Sequence, residues 1–490
     1  MTAPAPAAAP HHPRLATAVL AFCGVVVAIM QTIVVPLLPH IPDLTGATPE
    51  AASWLVTVTL LTGAVFTPVL GRVGDMYGKR RVLIASLGVL VLGSLLCAAG
   101  SQIGVLIAGR ALQGAAIAVV PLGISILRDE LPPERVLPAV ALMSSSMGIG
   151  AAVGLPVAAV VIQNFEWHTM FWVSAAIGLL DIALVLRCVP ESPIRSRGRF
   201  DALGALGLTA TLVCLLLAVT QGGGWGWTSV PTLGLFVASA VIAPAWGAYE
   251  LRVRSPMVDL RVSARPAMLL TNVAALLIGF AFYANSLVTG QMVQEPKTTG
   301  YGLGASIVVS GLCLLPGGVA MVLLSPVSAR ISGRHGPRTS LALASGIIAV
   351  GYVVRYFTSH SLWTIVAGAT VVAAGTAIAY SALPALVMRG VPVGETGAAN
   401  GLNTLMRSIG QAFCSATVAA VLANMTFLAA GRPAPTLGAY RLVFLIAAGA
   451  ALLALAVTLC LPSERAGTGT VGGRRRSSGR TRTMPIQEGA

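Results

Sequence analysis

The chain has 490 residues, 56% of them hydrophobic and only 10% charged, with 31 Lys and Arg against 16 Asp and Glu. A soluble domain carries about 25% charged residues, so this composition excludes an ordinary water-soluble enzyme. The basic surplus would point to nucleic acid on a soluble chain, but here the charges sit between apolar runs, and no nucleic-acid partner is expected.

A bilayer core about 30 Å thick needs about 20 apolar residues per helix. Runs of that kind, broken by charged or Gly/Pro-rich turns, predict fourteen spans. The first eight fall at roughly 15–38, 52–71, 82–100, 103–127, 137–162, 169–188, 203–221 and 230–249. The others fall at roughly 267–292, 304–328, 339–358, 362–388, 399–424 and 439–461. The first run follows Arg14 in the charge order of a signal peptide, but it is too long and lacks a small-residue cleavage site, so it is expected to stay as a helix. The seven cysteines are scattered without a CxxC pair, which predicts neither a disulfide framework nor a metal site.

Orientation follows from the basic residues. With the N-terminus in the cytoplasm, only Lys297, Arg355, Arg432 and Arg441 fall outside, and Arg110 and Arg407 fall within spans. All the others, of 31, lie on the cytoplasmic face, which also receives the C-terminus. Trp54, Trp167, Trp172, Trp225, Trp227 and Trp363 then lie near outer span ends, where indole rings favour the interface. The Arg-rich tail is expected to lie disordered against anionic lipid headgroups.

An internal repeat is visible at an offset of about 260 residues. GRVGDMYGKR (71–80) after span 2 corresponds to ARISGRHGPR (329–338) after span 10, so that Gly78 meets Gly336 and Arg80 meets Arg338, while Asp75 meets Gly333. In spans 5 and 13, Leu142, Ile149 and Gly150 meet Leu402, Ile409 and Gly410. The expected organisation is a cytoplasmic segment 1–14, a six-helix half 15–188, linkers with inserted helices 7 and 8 over 189–265, a six-helix half 266–461 and a basic tail 462–490. Two parallel halves of this kind form an alternating-access transporter with its site near the midplane.

The stretch Gly71–Leu83, GRVGDMYGKRRVL, resembles the cytoplasmic signature of the major facilitator superfamily, with Gly71, Asp75, Gly78, Lys79 and Arg80 in place. Glycines permit a tight turn and close helix approach, and a carboxylate there can face basic side chains or a helix N-terminus across the interface between halves. LIAGRALQGAAIA (106–118) is similar to the superfamily's second signature at Arg110, Gln113 and Gly114. The resemblance associates Arg110 with proton coupling; a structural hydrogen-bond hub fits the same residue.

GIGAAVGLPVAA (148–159) resembles the exporter-type signature through Gly150 and Gly154, with Pro156 one place late and Ala158 and Ala159 replacing glycines. MQTIVVPLLPHI (30–41) resembles the first span of the fourteen-helix drug:proton antiporters, except that Met30 stands where those proteins carry an acid. GAANGLNTLMRSIGQAFCSA (397–416) resembles their penultimate helix, with Asn400 and Arg407 as structural polar residues. The resemblance implies an all-α integral membrane protein of fourteen transmembrane helices, two six-helix halves plus two inserted helices.

A proton antiporter needs a group that titrates within the membrane. Of 16 acids only Asp181, in span 6, is expected within the apolar core, coupling protons, forming a structural pair with a basic partner or snorkelling outward. Gln31 and Arg110 lie at similar depth and are expected to hydrogen-bond directly or through substrate. Met30, Trp54, Asn272, Tyr283, Asn285 and Tyr380 are the remaining cavity candidates. No nucleophile–His–acid set or phosphate-binding loop appears.

The function expected is export of a lipophilic small molecule, neutral or anionic at least as readily as cationic, by a non-enzymatic, monomeric carrier in a bacterial cell membrane. A proton gradient supplies the energy, with no cofactor. Alternatives are a lipid or glycolipid exporter and a non-transporting receptor or scaffold on a transporter fold.

Overall fold

The computed structural model describes residues 13–34, 37–38, 41–196, 198–359, 361–429 and 432–462. The N-terminal segment and the basic tail anticipated above therefore lie outside the described residues, apart from their inner ends. Fourteen helices are long and apolar enough to cross a membrane. They are α1 Pro13–Thr32, α2 Pro49–Tyr77, α3 Lys79–Ala99, α4 Ile103–Glu130, α5 Pro133–Asn164, α6 Thr169–Cys188 and α7 Ala202–Trp225. They continue as α8 Val230–Glu250, α9 Pro266–Gln294, α10 Ile307–His335, α11 Pro337–Thr358, α12 Leu362–Gly390, α13 Thr396–Asn424 and α14 Leu437–Leu459.

Each expected span has its helix, but several ends differ. α1 stops at Thr32 rather than near 38, because Pro36 in the sequence has no N–H to continue the ladder and disfavours helix at the residue before it. α2 runs on to Tyr77 and α10 to His335. The repeated GRVGDMYGKR and ARISGRHGPR segments are therefore mostly helix, not loop. A single glycine turns the chain in each case: Gly78 has φ +120 and Gly336 has φ +83, a region that a side chain disfavours. α4 tightens to a 3-10 turn at Ala116–Ala118. Between α13 and α14 lies an unexpected antiparallel hairpin of β1 Thr426–Ala429 and β2 Arg432–Pro435.

Packing repeats with the sequence. α1 packs on α5, α2 on α4, and α3 on both α4 and α6; the same contacts recur as α9 on α13, α10 on α12, and α11 on both α12 and α14. The broadest contacts between the two sets are α5 against α10 and α2 against α13. α7 and α8 pack chiefly on each other, with α7 resting against α2 and α13. Glycines set the closest approaches: a methyl group on Gly150 would meet the Val25 carbonyl oxygen of α1 at 2.5 Å, and one on Gly410 would meet that of Leu276 of α9 at 2.0 Å. These two glycines are the repeat-related pair, so Gly150 serves helix packing. Gly154 presses in the same way on Ile29 and Thr32, while α5 continues through Pro156.

Arg80 and Arg338 are a second repeat-related pair. At the start of α3, Arg80 donates from Nη2 to the Leu186 carbonyl of α6. At the start of α11, Arg338 donates to the Thr458 and Leu459 carbonyls of α14 at 3.3 and 2.6 Å. Each arginine thus satisfies carbonyls that a helix C-terminus leaves open, with charge of the favourable sign.

Candidate functional site

α13 begins without a side-chain cap of its own. Its open N–H groups are met from the other half. Asp75, near the end of α2, accepts from Gly397 N through Oδ1 at 3.1 Å and from Ala398 N through Oδ2 at 2.8 Å. A carboxylate at a helix N-terminus both satisfies these donors and meets the positive end of the helix dipole. Lys79, fully buried, lies 3.5 Å from Asp75 and 2.5 Å from Asp129 of α4, and Asp129 also accepts from Ser192 Oγ at 2.5 Å.

Arg128 adds a second bond between halves, donating to Thr396 Oγ1 at 2.6 Å and the Val391 carbonyl at 3.2 Å. The approach is close because a methyl on Gly71 would lie 2.5 Å from the Gly397 oxygen. The segment after α6 closes over this assembly, with Ser196 N donating to the Asp75 carbonyl at 2.7 Å. These contacts join the two halves at one end of the molecule as a latch. The signature residues Gly71, Asp75, Gly78, Lys79 and Arg80 are all used in it or in the helix junction beside it.

Away from this latch, a cavity of about 370 Å³ lies between the halves. It is lined from α1, α2, α4 and α5 on one side and from α9, α10 and α13 on the other, mostly by apolar atoms. Lining residues such as Thr32, Val56, Gln294 and Ser310 belong to the ends of their helices remote from Asp75.

Arg110 of α4 is the cavity's only cationic side chain among the described residues. It is buried, with Nη1 donating to the Met30 carbonyl at 2.8 Å and to Gln113 Oε1 at 2.6 Å, and Nε to the Leu55 carbonyl at 3.2 Å. Gln113 is held in turn by donating to Ser94 Oγ at 2.8 Å. Because α1 ends two residues later, the Met30 carbonyl belongs to its open C-terminal set, and a guanidinium there caps α1. Arg110 therefore ties α1, α2 and α4 together. The Nη2 group of Arg110 and the Nε2 group of Gln31 have no partner, so these two residues do not bond each other directly.

Of the other cavity candidates, Tyr283 lines this space. Met30 does not: its side chain is buried in the core of the first half, and only its carbonyl serves the site, through Arg110. Trp54 is outside the lining, and Asn272, near the latched end, accepts from Asn403 at 3.1 Å. Tyr380 is packed under the Arg407 guanidinium, 4.6 Å from its ring centroid, and against Phe282. Arg407 also donates to Thr404 Oγ1 at 3.0 Å, and Asn400 to the Thr396 carbonyl at 3.0 Å. Both stay within the fold of the second half.

Asn285 borders a smaller adjoining space of about 70 Å³ and is fully engaged. It accepts from Arg355 and donates to the Ala369 carbonyl at 3.1 Å. Arg355, near the end of α11 remote from the latch, is completely buried within the second half: it donates to Thr289 Oγ1 at 2.9 Å and lies 4.6 Å over the Phe444 ring. It sits one turn from the end of α11, where an apolar run and a flanking arginine look alike in sequence. Asn285 and Thr289, four residues apart on α9, were the available signal for a buried polar partner.

Asp181 does not line the cavity. It is buried on α6 with its carboxylate against the Cys23 thiol of α1. The basic partner considered for it is absent among the described residues.

A model of the Major Facilitator Superfamily matches residues 20–415 and 271–486. The chain belongs to the major facilitator superfamily. Among its relatives is Multidrug resistance protein Stp of Mycobacterium tuberculosis, 27% identical over 417 residues, which are 84% of this chain and 76% of that protein. Multidrug resistance protein 3 of Bacillus subtilis is 24% identical over 367 residues, 73% of this chain and 70% of the relative. The human organic anion transporter MFSD10 (TETRAN) shares the fold with a TM-score of 0.65 at 16% identity, over 91% of this chain and 99% of that one. This superfamily member is accordingly a multi-pass membrane transporter and not an enzyme.

Proposed function

We propose that the protein exports lipophilic small molecules from a bacterial cell by alternating access, driven by the proton gradient. The observation that carries this reading is a mostly apolar cavity between the halves, beside a latch that shuts the opposite end. Apolar walls with a few polar anchors suit a lipophilic ligand. Similarity to two multidrug resistance proteins supports export. The basic-residue bias supports placing the latch and both termini in the cytoplasm, so that the structure corresponds to the state closed to the cytoplasm.

Proton coupling requires a titratable group inside the membrane. Asp181 is our candidate: among the described residues it is the acid placed away from span ends, and it faces α1, whose Gln31 and Thr32 line the cavity. Protein in liposomes with an imposed pH gradient tests the proposal. The wild type is expected to move a lipophilic reporter uphill. Asp181→Asn is expected to abolish uphill flux while leaving downhill exchange measurable. Normal uphill flux in Asp181→Asn overturns its coupling role, and absence of flux for a broad compound panel in the wild type supports a receptor instead.

A further inference from the structure

Among the described residues the cavity is lined by one cation and no acid. Arg110 lines it with Nη1 and Nε committed to Met30, Leu55 and Gln113, and with Nη2 left over. Gln31 of α1 also lines the cavity, and its Nε2, like Arg110 Nη2, is buried at the cavity wall without a partner. Both are N–H donors in buried surroundings, where a donor without an acceptor is costly. Asp181, the acid of the membrane interior nearest in kind to a counter-ion, is behind α1 and outside the lining.

We infer that the cavity is an organic-anion site, in which the oxyanion of a lipophilic carboxylate or sulfonate is held by Arg110 Nη2 and Gln31 Nε2. This rests on the export reading and names its substrate class. Three physical arguments support it. A guanidinium keeps its charge in proteins and has no acceptor capacity, so the donor it leaves over calls for an acceptor from the ligand. An acid-free, mostly apolar pocket gives a cationic ligand no counter-charge and adds repulsion from Arg110, undiminished by much water. The guanidinium is already fixed by three bonds, so little ordering remains to be done when an oxyanion docks.

The aromatic body of such a ligand has apolar wall to occupy. Tyr283, Phe282 and Leu314 face the cavity from α9 and α10, on the other side from Arg110. The ligand thereby touches both halves, its head on the first and its body on the second. Binding is then sensitive to the distance between halves, as alternating access requires.

A matched set of labelled ligands tests this: naphthalene-1-sulfonate, naphthalene-1-carboxamide and 1-naphthylmethylamine, with binding to purified protein in nanodiscs measured alongside liposome flux. The sulfonate is expected to bind at least about tenfold more tightly than the amine, a difference of 1.4 kcal/mol, with the amide between. Gln31→Glu, similar in volume, is expected to reverse the order of sulfonate and amine; Gln31→Leu is expected to weaken the sulfonate and leave the amide nearly unchanged. Folding of each variant is checked by its melting temperature, so a loss of ligand selectivity at unchanged stability is attributable to the anchor. Tighter binding and flux of the amine in the wild type overturns the anion assignment and leaves the export reading standing. An unchanged sulfonate-to-amine ratio in Gln31→Glu also overturns it. Absence of binding and of flux for all three overturns both.

Discussion

Asp75→Asn is expected to lose most transport while keeping normal expression and membrane insertion. The carboxylate accepts from two N–H groups of α13 and neighbours Lys79. An amide keeps one acceptor oxygen but presents donors where α13 presents donors, and it carries no charge for the helix dipole. Partly buried interactions of a charge with a helix terminus reach about 2 kcal/mol, and a change of that size shifts a two-state ratio by up to about thirtyfold. Lys79 keeps Asp129, so the helix junction at Gly78 is preserved and the loss falls on closure of the latch. Transport of a lipophilic reporter, normalised to inserted protein, measures the effect. Wild-type flux in Asp75→Asn contradicts a latch role.

Arg110→Ala is expected to abolish transport and also to lower stability, which separates it from Asp75→Asn. Truncation leaves the Met30 carbonyl at the end of α1 and the Gln113 Oε1 without their donor. Each buried polar group left unpaired costs about 1–3 kcal/mol. The Leu55 carbonyl loses less, because the Thr59 hydroxyl also donates to it at 2.9 Å. Arg110→Lys keeps the charge but not the planar fork, so it is expected to retain a fraction of transport and part of the lost melting temperature. Equal activity of Lys and Arg excludes the fork as a requirement. Unaltered transport and melting temperature in Arg110→Ala contradict both the hub and the substrate role.

Much of this was legible because a membrane-spanning helix must carry its apolar length in one continuous run. The fourteen runs therefore emerged whole, and the weak coincidences of Gly78 with Gly336 and Gly150 with Gly410 proved to mark equivalent turns and equivalent close approaches. The ends were less legible for a physical reason. Arg72, Asp75 and Lys79 read as a loop because isolated charges lower hydropathy, yet each finds its partner across a tertiary contact and stays within helix.

Sequence spacing carries no information about such distant partners. Arg128 and Thr396 are 268 residues apart, and Arg355 and Asn285 are 70 apart. Aromatic and amide side chains on cavity helices divided by rotation about the helix axis. Tyr283 faces the cavity, whereas Asn285, two residues on, turns to Arg355 and Ala369. The acid missing at Met30 remains the most informative absence, since among the described residues Arg110 has no carboxylate partner and binds main-chain carbonyls and Gln113 instead.

Alternating access requires exchange between a state latched at Asp75 and a state open there. Nitroxides on Tyr77→Cys and Glu395→Cys, in a chain with the seven native cysteines replaced, report the separation across the latch by pulsed electron resonance. Two distances are expected in liposomes, the shorter matching the latched structure. The longer is expected to gain population when Asp75→Asn is added or when the gradient and substrate are varied. A single short distance, unmoved by Asp75→Asn, by substrate and by the gradient, contradicts alternating access at this latch.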